Sequence, residues 1–355
     1  MLEKREKRRE KLREKIHNQG LDGYLVLHPA NRYYLSGFEL HDPQCNESAG
    51  SLIITAKHGD WLSTDSRYLQ AAKALWPEDR IYLYKKERGQ RLAQFLSELG
   101  INKLGFESKI LSFELFEQLR QNLQLQPFKG FVEELRMQKD DLELEALQKS
   151  CNLNHQIFSH IPAMLENGCS EASLAWKIEK LFRENGGSEL AFSPIVAFGT
   201  NAALPHHSPG EDKLEEDTPV LVDVGARYEQ YCSDQSRTFW FGNNPPDYFQ
   251  KKLQLVQQAQ KLAIENIRPG IVIKELYSQV VNFFERQNMD KHFTHALGHG
   301  IGLETHEAPG VGPNQDTPLK PGMVITIEPG LYFSQWGGIR WEHMVTVTSE
   351  GAITL

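Results

Sequence analysis

Only four of the 355 residues are cysteine, Cys45, Cys151, Cys169 and Cys232, and no two form a CxxC pair. That scarcity excludes a disulfide frame and a sulfur metal site; the four read as buried or free thiols in a reducing cytoplasm. No apolar run is long enough for a transmembrane helix, so no membrane association is expected. The start, MLEKREKRREKLREK, has no apolar stretch behind its basic residues, unlike a secretory signal. An excess of positive charge is missing too. The net charge of −8 argues against nucleic acid as a partner. Neither standard Gly-rich phosphate loop occurs.

What is present is ordinary for a globular chain with a large core: 40% hydrophobic and 24% charged residues. The length suggests two domains. Eight Lys/Arg lie between Lys4 and Lys15, interleaved with Glu6, Glu10 and Glu14 at helical spacing. That pattern predicts a solvated helix laced with i,i+4 pairs.

The first third alternates strand and helix. DGYLVL reads as a strand ending in a turn at HPAN. SLIIT and WLST flank AKHGD and read as a hairpin. A short helix near residues 66–75, the strand RIYLY, a helix near 91–99, the strand KLGFE and a helix over SFELFEQLRQNL follow. Together they predict a small α/β domain with a mixed sheet.

The pattern changes near Val132. LRMQKDDLELEALQKSCNLNHQIFSHIPAMLENG reads as one long helix stopped at Gly168. Ser170 can cap the next helix, whose apolar face is Leu174, Ala175, Ile178, Leu181 and Phe182. The same plan recurs about a hundred residues later. A helix over about 247–267 stops at RPG, and a second shows Ile273, Leu276, Tyr277, Val280 and Phe284 on one face. Strands follow each pair, which reads as a weak internal repeat of two halves.

The strands of the two halves carry the chemistry. In PVLVDVGARYEQYCSDQSRTFWFG, Asp223 closes an apolar strand. Asp234 lies past a hairpin turn predicted near Arg227 to Glu229. Such a hairpin brings both carboxylates to one end of a sheet. In the second half, His299 sits in GHGIG, where glycines let the backbone approach closely. Glu328 ends MVITIEPG. Glu342 sits in GGIRWEHMVTV, read as one strand with Arg340 on the same face. Singly, each has a structural reading: a turn cap, a core histidine, or a Glu328–Arg340 ion pair. Together they are four carboxylates and one imidazole on apolar strands, and buried carboxylates need a partner or a metal. Hard oxygen donors with one nitrogen and no thiolate suit Mn²⁺, Co²⁺, Fe²⁺ or Zn²⁺. Four carboxylates exceed what one divalent ion needs. Two ions would balance them, the logic of a hydrolytic bimetal site.

The set VDVGARYEQYCSDQSRTF, HALGHGIGLETHE, TIEPGLYF and GIRWEHMVTVT closely resembles the motifs of the metallopeptidases with the pita-bread fold. That family includes Xaa-Pro dipeptidases (prolidases), aminopeptidase P and methionine aminopeptidase. The segment IVAFGTNAALPHHSP is similar to the Xaa-Pro branch. The first third, with NRYYLSGF, looks like the creatinase/prolidase N-terminal domain, which methionine aminopeptidases usually lack. The resemblance implies an α/β (α+β) chain in two domains. Residues 1–131 would form the creatinase-like domain and residues 132–355 a pseudo-twofold pita-bread catalytic domain. It implies five ligands for two metal ions, manganese foremost. Asp234 and Glu342 would bridge the ions, Asp223 would hold one, and His299 with Glu328 the other. His206, with His207 beside it as the alternative, matches the substrate-side histidine. His306 matches one near the scissile carbonyl, His295 one of the pocket wall, and Arg340 an arginine that supports the ligands and, with His206 and His295, should line the substrate side of the pocket. Glu328 would also relay a proton. Phe198 or Tyr332 could pack on a proline ring. Trp341, bulkier than the aliphatic residue usual there, should face away from the metals. The implied activity is hydrolysis of the bond before proline in Xaa-Pro dipeptides or longer peptides, by a cytoplasmic homodimer. The alternatives are a methionine aminopeptidase-like enzyme, a metal-free creatinase-type hydrolase and a non-catalytic pita-bread binding protein. The filled ligand set counts against the last two.

Overall fold

Alternating apolar and polar positions along the strands decide which way each sheet faces. The computed structural model describes residues 2–44, 47–57, 59–84 and 88–355. The expectation for Cys45 lies outside the described residues; Cys151, Cys169 and Cys232 are free thiols. No helix among the described residues is long and apolar enough to cross a membrane. The chain forms two compact units, Met1–Arg136 and Met137–Leu355.

The first unit is a mixed six-stranded sheet. In spatial order its strands are Ile81–Leu83, Trp61–Thr64, Gly50–Thr55, Gly23–Val26, Lys103–Glu107 and Gln124–Phe128. The hairpin over SLIIT and WLST forms, with Leu52 opposite Leu62. Leu25, Ile53, Leu96 and Leu104 are fully buried in its core. Two expectations fail here. HPAN is not a turn: Pro29 opens a helix, Pro29–Ser36, where its missing N–H costs nothing. The basic helix, Leu2–Asn18, is not merely solvated. Arg5, Leu12 and Ile16 are buried, and Arg9 and Arg13 both reach Asp60, at 3.0 and 2.9 Å.

The second unit opens on the helix Asp141–Met164. It starts later than the periodicity predicts, because a capping box fixes the boundary. The Asp140 side chain accepts from Leu142 and Glu143 N–H, and Glu143 reaches back to Asp140 N–H. Just before it, Gln138 makes a β-bridge to Met323. Ser170 caps the next helix, Glu171–Glu184, through Ser173 N–H. The repeated pair is Asp247–Asn266 and Ile273–Arg286. Each pair packs against antiparallel strands of its own half. The first half has Ile195–Phe198, Thr218–Val224 and Gln235–Phe241. The second has a five-stranded sheet in the order Glu307–Val311, Gly298–Gly300, Val324–Ile327, His343–Val347 and Ala352–Thr354.

Period two then sets the faces. Val220, Val222 and Val224 join the helix-side core, so Leu221 and Asp223 point the other way. Full burial of each valine is worth about 1.5–3 kcal/mol, which fixes the register. Likewise Ile325 and Ile327 enter the second core, leaving Thr326 and Glu328 on the opposite face. In GIRWEHMVTV the strand is not continuous. Gly337–Arg340 pairs with Gly330–Phe333, whereas His343–Val347 joins the five-stranded sheet. Trp341 and Glu342 make the step between them. The hairpin turn of the first half is at Glu229 and Gln230, both with positive φ.

Candidate metal centre

The polar faces of the two halves meet at the floor of a cavity of about 1140 Å³. Asp223 comes from the strand Thr218–Val224, with Ser236 opposite it in register. Asp234 immediately precedes the strand Gln235–Phe241. His299 is the middle residue of Gly298–Gly300, and the glycine before it is required. A Cβ on Gly298 would lie 2.0 Å from the Thr326 carbonyl oxygen. Donor atoms of Asp234, His299 and Glu342 all fall within 4.8 Å of one another. His299 Nε2 stands 3.3 Å from Glu328 Oε1 and 3.5 Å from Asp234 Oδ2. Thr326 Oγ1 donates to Glu328 Oε1 at 3.1 Å and accepts from His299 N–H at 3.0 Å.

Arg340 is almost fully buried and organises the acidic side. It does not pair with Glu328. Its Nη2 donates to Asp223 Oδ2 at 2.5 Å, its Nε to Ser236 Oγ at 2.8 Å, and its Nη1 to Tyr332 Oη at 2.8 Å. Ser236 in turn donates to Glu342 Oε2 at 2.8 Å. Tyr332 Oη also meets His295 Nε2 at 2.9 Å.

The electrostatics are those of crowded carboxylates. Burial, then the charges of Glu342, Asp223 and Glu328, pushes the Asp234 carboxyl well above its ordinary range. Glu342 is raised well above its range by burial and by Glu328 and Asp223. Glu328 is buried as well, but the hydrogen bond from His299 and the charges of His299, His295 and Arg340 outweigh this and hold it down to about 2. Three buried oxygens, Asp223 Oδ1, Asp234 Oδ1 and Glu342 Oε1, take no hydrogen bond. Buried oxygens left without donors are costly. A donor set of four carboxylates and one imidazole suits a hard or borderline divalent cation, so these residues fit metal ions.

Asp223, Asp234, His206, His295, His299, His306, Glu328 and Arg340 line the cavity, and Glu342 joins the cluster through Asp234 and His299 without itself lining it. His306 packs edge-on against His299, with ring centroids 4.1 Å apart. His206 and His207 both line the wall, and His207 is tied to Glu171 at 2.7 Å. Phe198 is not in the wall; it is buried in the helix-side core. Tyr332 is not there either and acts from behind, through His295 and Arg340. The apolar wall is instead Phe192, Pro194, Ile195, Pro205 and Pro209. Trp341 faces away, under the Arg237 guanidinium at 4.4 Å. Sequence reasoning missed Ser236, Thr326, Glu171 and the buried Lys139–Glu307 pair, whose Glu307 lines the cavity, 2.8 Å from Lys139 Nζ. Lys139 gave a signal, a lone cation just before a capped helix.

Residues 145–349 match the model of metallopeptidase family M24, and residues 8–138 that of the creatinase/prolidase N-terminal domain. The chain is 32% identical over 347 residues to an Xaa-Pro dipeptidase of Pyrococcus horikoshii, covering 96% of this chain and 94% of the relative. Among solved structures, an Xaa-Pro dipeptidase from Bacillus anthracis superposes with a TM-score of 0.91 at 33% identity, covering 99% and 97% of the two chains. An X-Pro aminopeptidase from Thermotoga maritima gives 0.84 at 29% identity, covering 94% and 95%.

Proposed function

The chain belongs to metallopeptidase family M24 and is a peptidase, and from that premise we propose that it cleaves the peptide bond preceding proline, in dipeptides or at the start of longer peptides. The observation that carries this reading is the set of three donorless carboxylate oxygens at the floor of a cavity walled by histidines and prolines. Asp223, Asp234, His299, Glu328 and Glu342 would hold two divalent ions. When bound, such ions lower the pKa of a water enough to supply a nucleophile at neutral pH.

The chain's own residues do the rest. Glu328 accepts a proton at its carboxylate and returns it to the departing imide nitrogen. His306 donates to the oxygen of the carbonyl under attack. Arg340 fixes Asp223, and Tyr332 fixes His295 on the wall, so neither must reorganise during reaction. His206 faces the substrate. A proline residue offers no N–H and a fixed φ, so recognition falls to its ring, against Pro194, Ile195 and Pro205. The same reading takes manganese as the resident ion and a cytoplasmic homodimer as the working form; the oxygen-rich donor set supports the first, and the family resemblance carries the second.

The test compares Ala-Pro, Ala-Pro-Yaa, Ala-Ala and Met-Ala-Ser, with Mn²⁺, Co²⁺ or Zn²⁺ supplied in turn. Replacing proline by alanine removes two ring carbons, worth up to ~1.6 kcal/mol of burial, so Ala-Pro should exceed Ala-Ala in kcat/KM by about tenfold. Equal cleavage of Met-Ala-Ser and Ala-Pro would overturn the reading.

A further inference from the structure

Outside the carboxylate cluster, one buried acid gathers the substrate side of the cavity. Glu171 stands in the first turn of Glu171–Glu184 and is 0% exposed. Its Oε1 accepts from Phe198 N–H at 2.8 Å and Asn201 Nδ2 at 2.9 Å. Its Oε2 accepts from His207 Nε2 at 2.7 Å and Gly210 N–H at 3.0 Å. The four donors span the segment 198–210. That segment carries Pro205, His206, His207 and Pro209, all in the cavity wall. Arg340 Nη1 also ties it to the site, donating to the Pro205 carbonyl at 3.2 Å. A carboxylate with no exposure is tolerable here because four donors and the positive end of the helix compensate it.

We propose that Glu171 is a positioning residue for substrate, whose ionised carboxylate sets where His206 and the two prolines stand. This rests on the reading of the cavity as an Xaa-Pro site. An ionised carboxylate only accepts, so His207 carries a proton on Nε2. His207 is thereby committed to the scaffold and leaves His206 as the substrate-side histidine. The charge matters as much as the shape. In Glu171→Gln one oxygen becomes NH₂. That group must face either the Gly210 N–H or the Phe198 N–H, donor against donor. The variant keeps its volume and loses the gathering of the segment.

The experiment pairs steady-state kinetics on metal-loaded protein with hydrogen exchange. Glu171→Gln should raise KM for Ala-Pro about tenfold, the scale of one lost buried hydrogen bond, and change kcat by less than about threefold. Amides of 199–210 should exchange about tenfold faster, while the strands Thr218–Val224 and Val324–Ile327 keep their protection. Asn201→Ala and His207→Ala each remove one donor and should move KM the same way, by about threefold. A purely structural acid would instead lower protection everywhere and leave KM alone; that result, or unchanged KM in both single-donor variants, overturns the proposal. If Glu171→Gln does not fold, the two single-donor variants decide. If the wild-type protein fails to cleave Ala-Pro, the substrate reading falls, and the exchange comparison still decides the role of Glu171.

Discussion

Replacing Arg340 by methionine removes the guanidinium that pairs with Asp223 while keeping most of its volume. The residue is 3% exposed. Its loss leaves Asp223 without a donor, since Oδ2 is held by Arg340 and Oδ1 already takes no hydrogen bond. Ser236 and Tyr332 lose less, because each keeps a second partner, Glu342 and His295. The dominant cost is therefore an uncompensated buried charge, about 3–5 kcal/mol. For a unit of this size a kilocalorie shifts Tm by about 2–4 °C, so the metal-free variant should melt roughly 6–20 °C below the parent. Calorimetry after chelation measures this. Asp223→Asn removes the orphaned charge, so adding Arg340→Met to it should cost less, with a coupling of at least about 1 kcal/mol in the double-mutant cycle. A drop below about 3 °C, or strict additivity of the two changes, would refute the argument that Arg340 acts through Asp223.

Three further outcomes are expected. Asp234→Asn and Glu342→Gln should each lose both metal ions, whereas Asp223→Asn should weaken mainly one; metal analysis of the purified variants checks this, and two retained ions in Asp234→Asn would remove it from the ligand set. His306→Ala should keep its metal but lower kcat by about 10²–10³, the scale of one lost oxyanion donor; loss of metal in that variant would instead make His306 a ligand. Burial pushes the thiols of Cys151 and Cys232 up to about 12 and 11, so neither forms thiolate at pH 8, and iodoacetamide should alkylate them only after unfolding, with the partly exposed Cys169 reacting first of the three; stoichiometric native labelling of Cys151 would contradict that.

The strands that carry Asp223 and Glu328 were legible because an acid in a strand buried on both faces is conspicuous. VLVDV and VITIE each show the alternation that sends valine or isoleucine to the helices and the acid to the opposite face. The helix pairs were legible for the related reason that 3.6-residue periodicity is local. What failed was decided by distant partners. LRMQK reads as helix, but Gln138 is bridged to Met323 and Lys139 N–H donates to Gly322. Nothing within GIRWEHMV marks where the chain leaves one sheet for another. Ser236, Thr326 and Tyr332 look like ordinary strand residues, and only the fold shows that their hydroxyls tie the buried carboxylates and histidines to their neighbours. Glu171 was hidden by its own plausibility, since an acid in a first helical turn already has a reason to be there.

The floor of the cavity draws Asp223 and Asp234 from the first half of the catalytic unit and His299, Glu328 and Glu342 from the second. The ribosome delivers the two aspartates before any of the groups that make their burial tolerable. Arg340, which pairs with Asp223, emerges more than a hundred residues later. During synthesis the first half therefore carries an unbalanced acidic edge, which favours keeping that edge in water and discourages premature closure. With the proposed ligand set, docking of the halves and assembly of the centre would be one event, and metal occupancy would report on completed folding. A chain nicked in the connection 242–246 should, on this logic, bind ions only as the reassociated pair of fragments, and neither fragment alone should retain them.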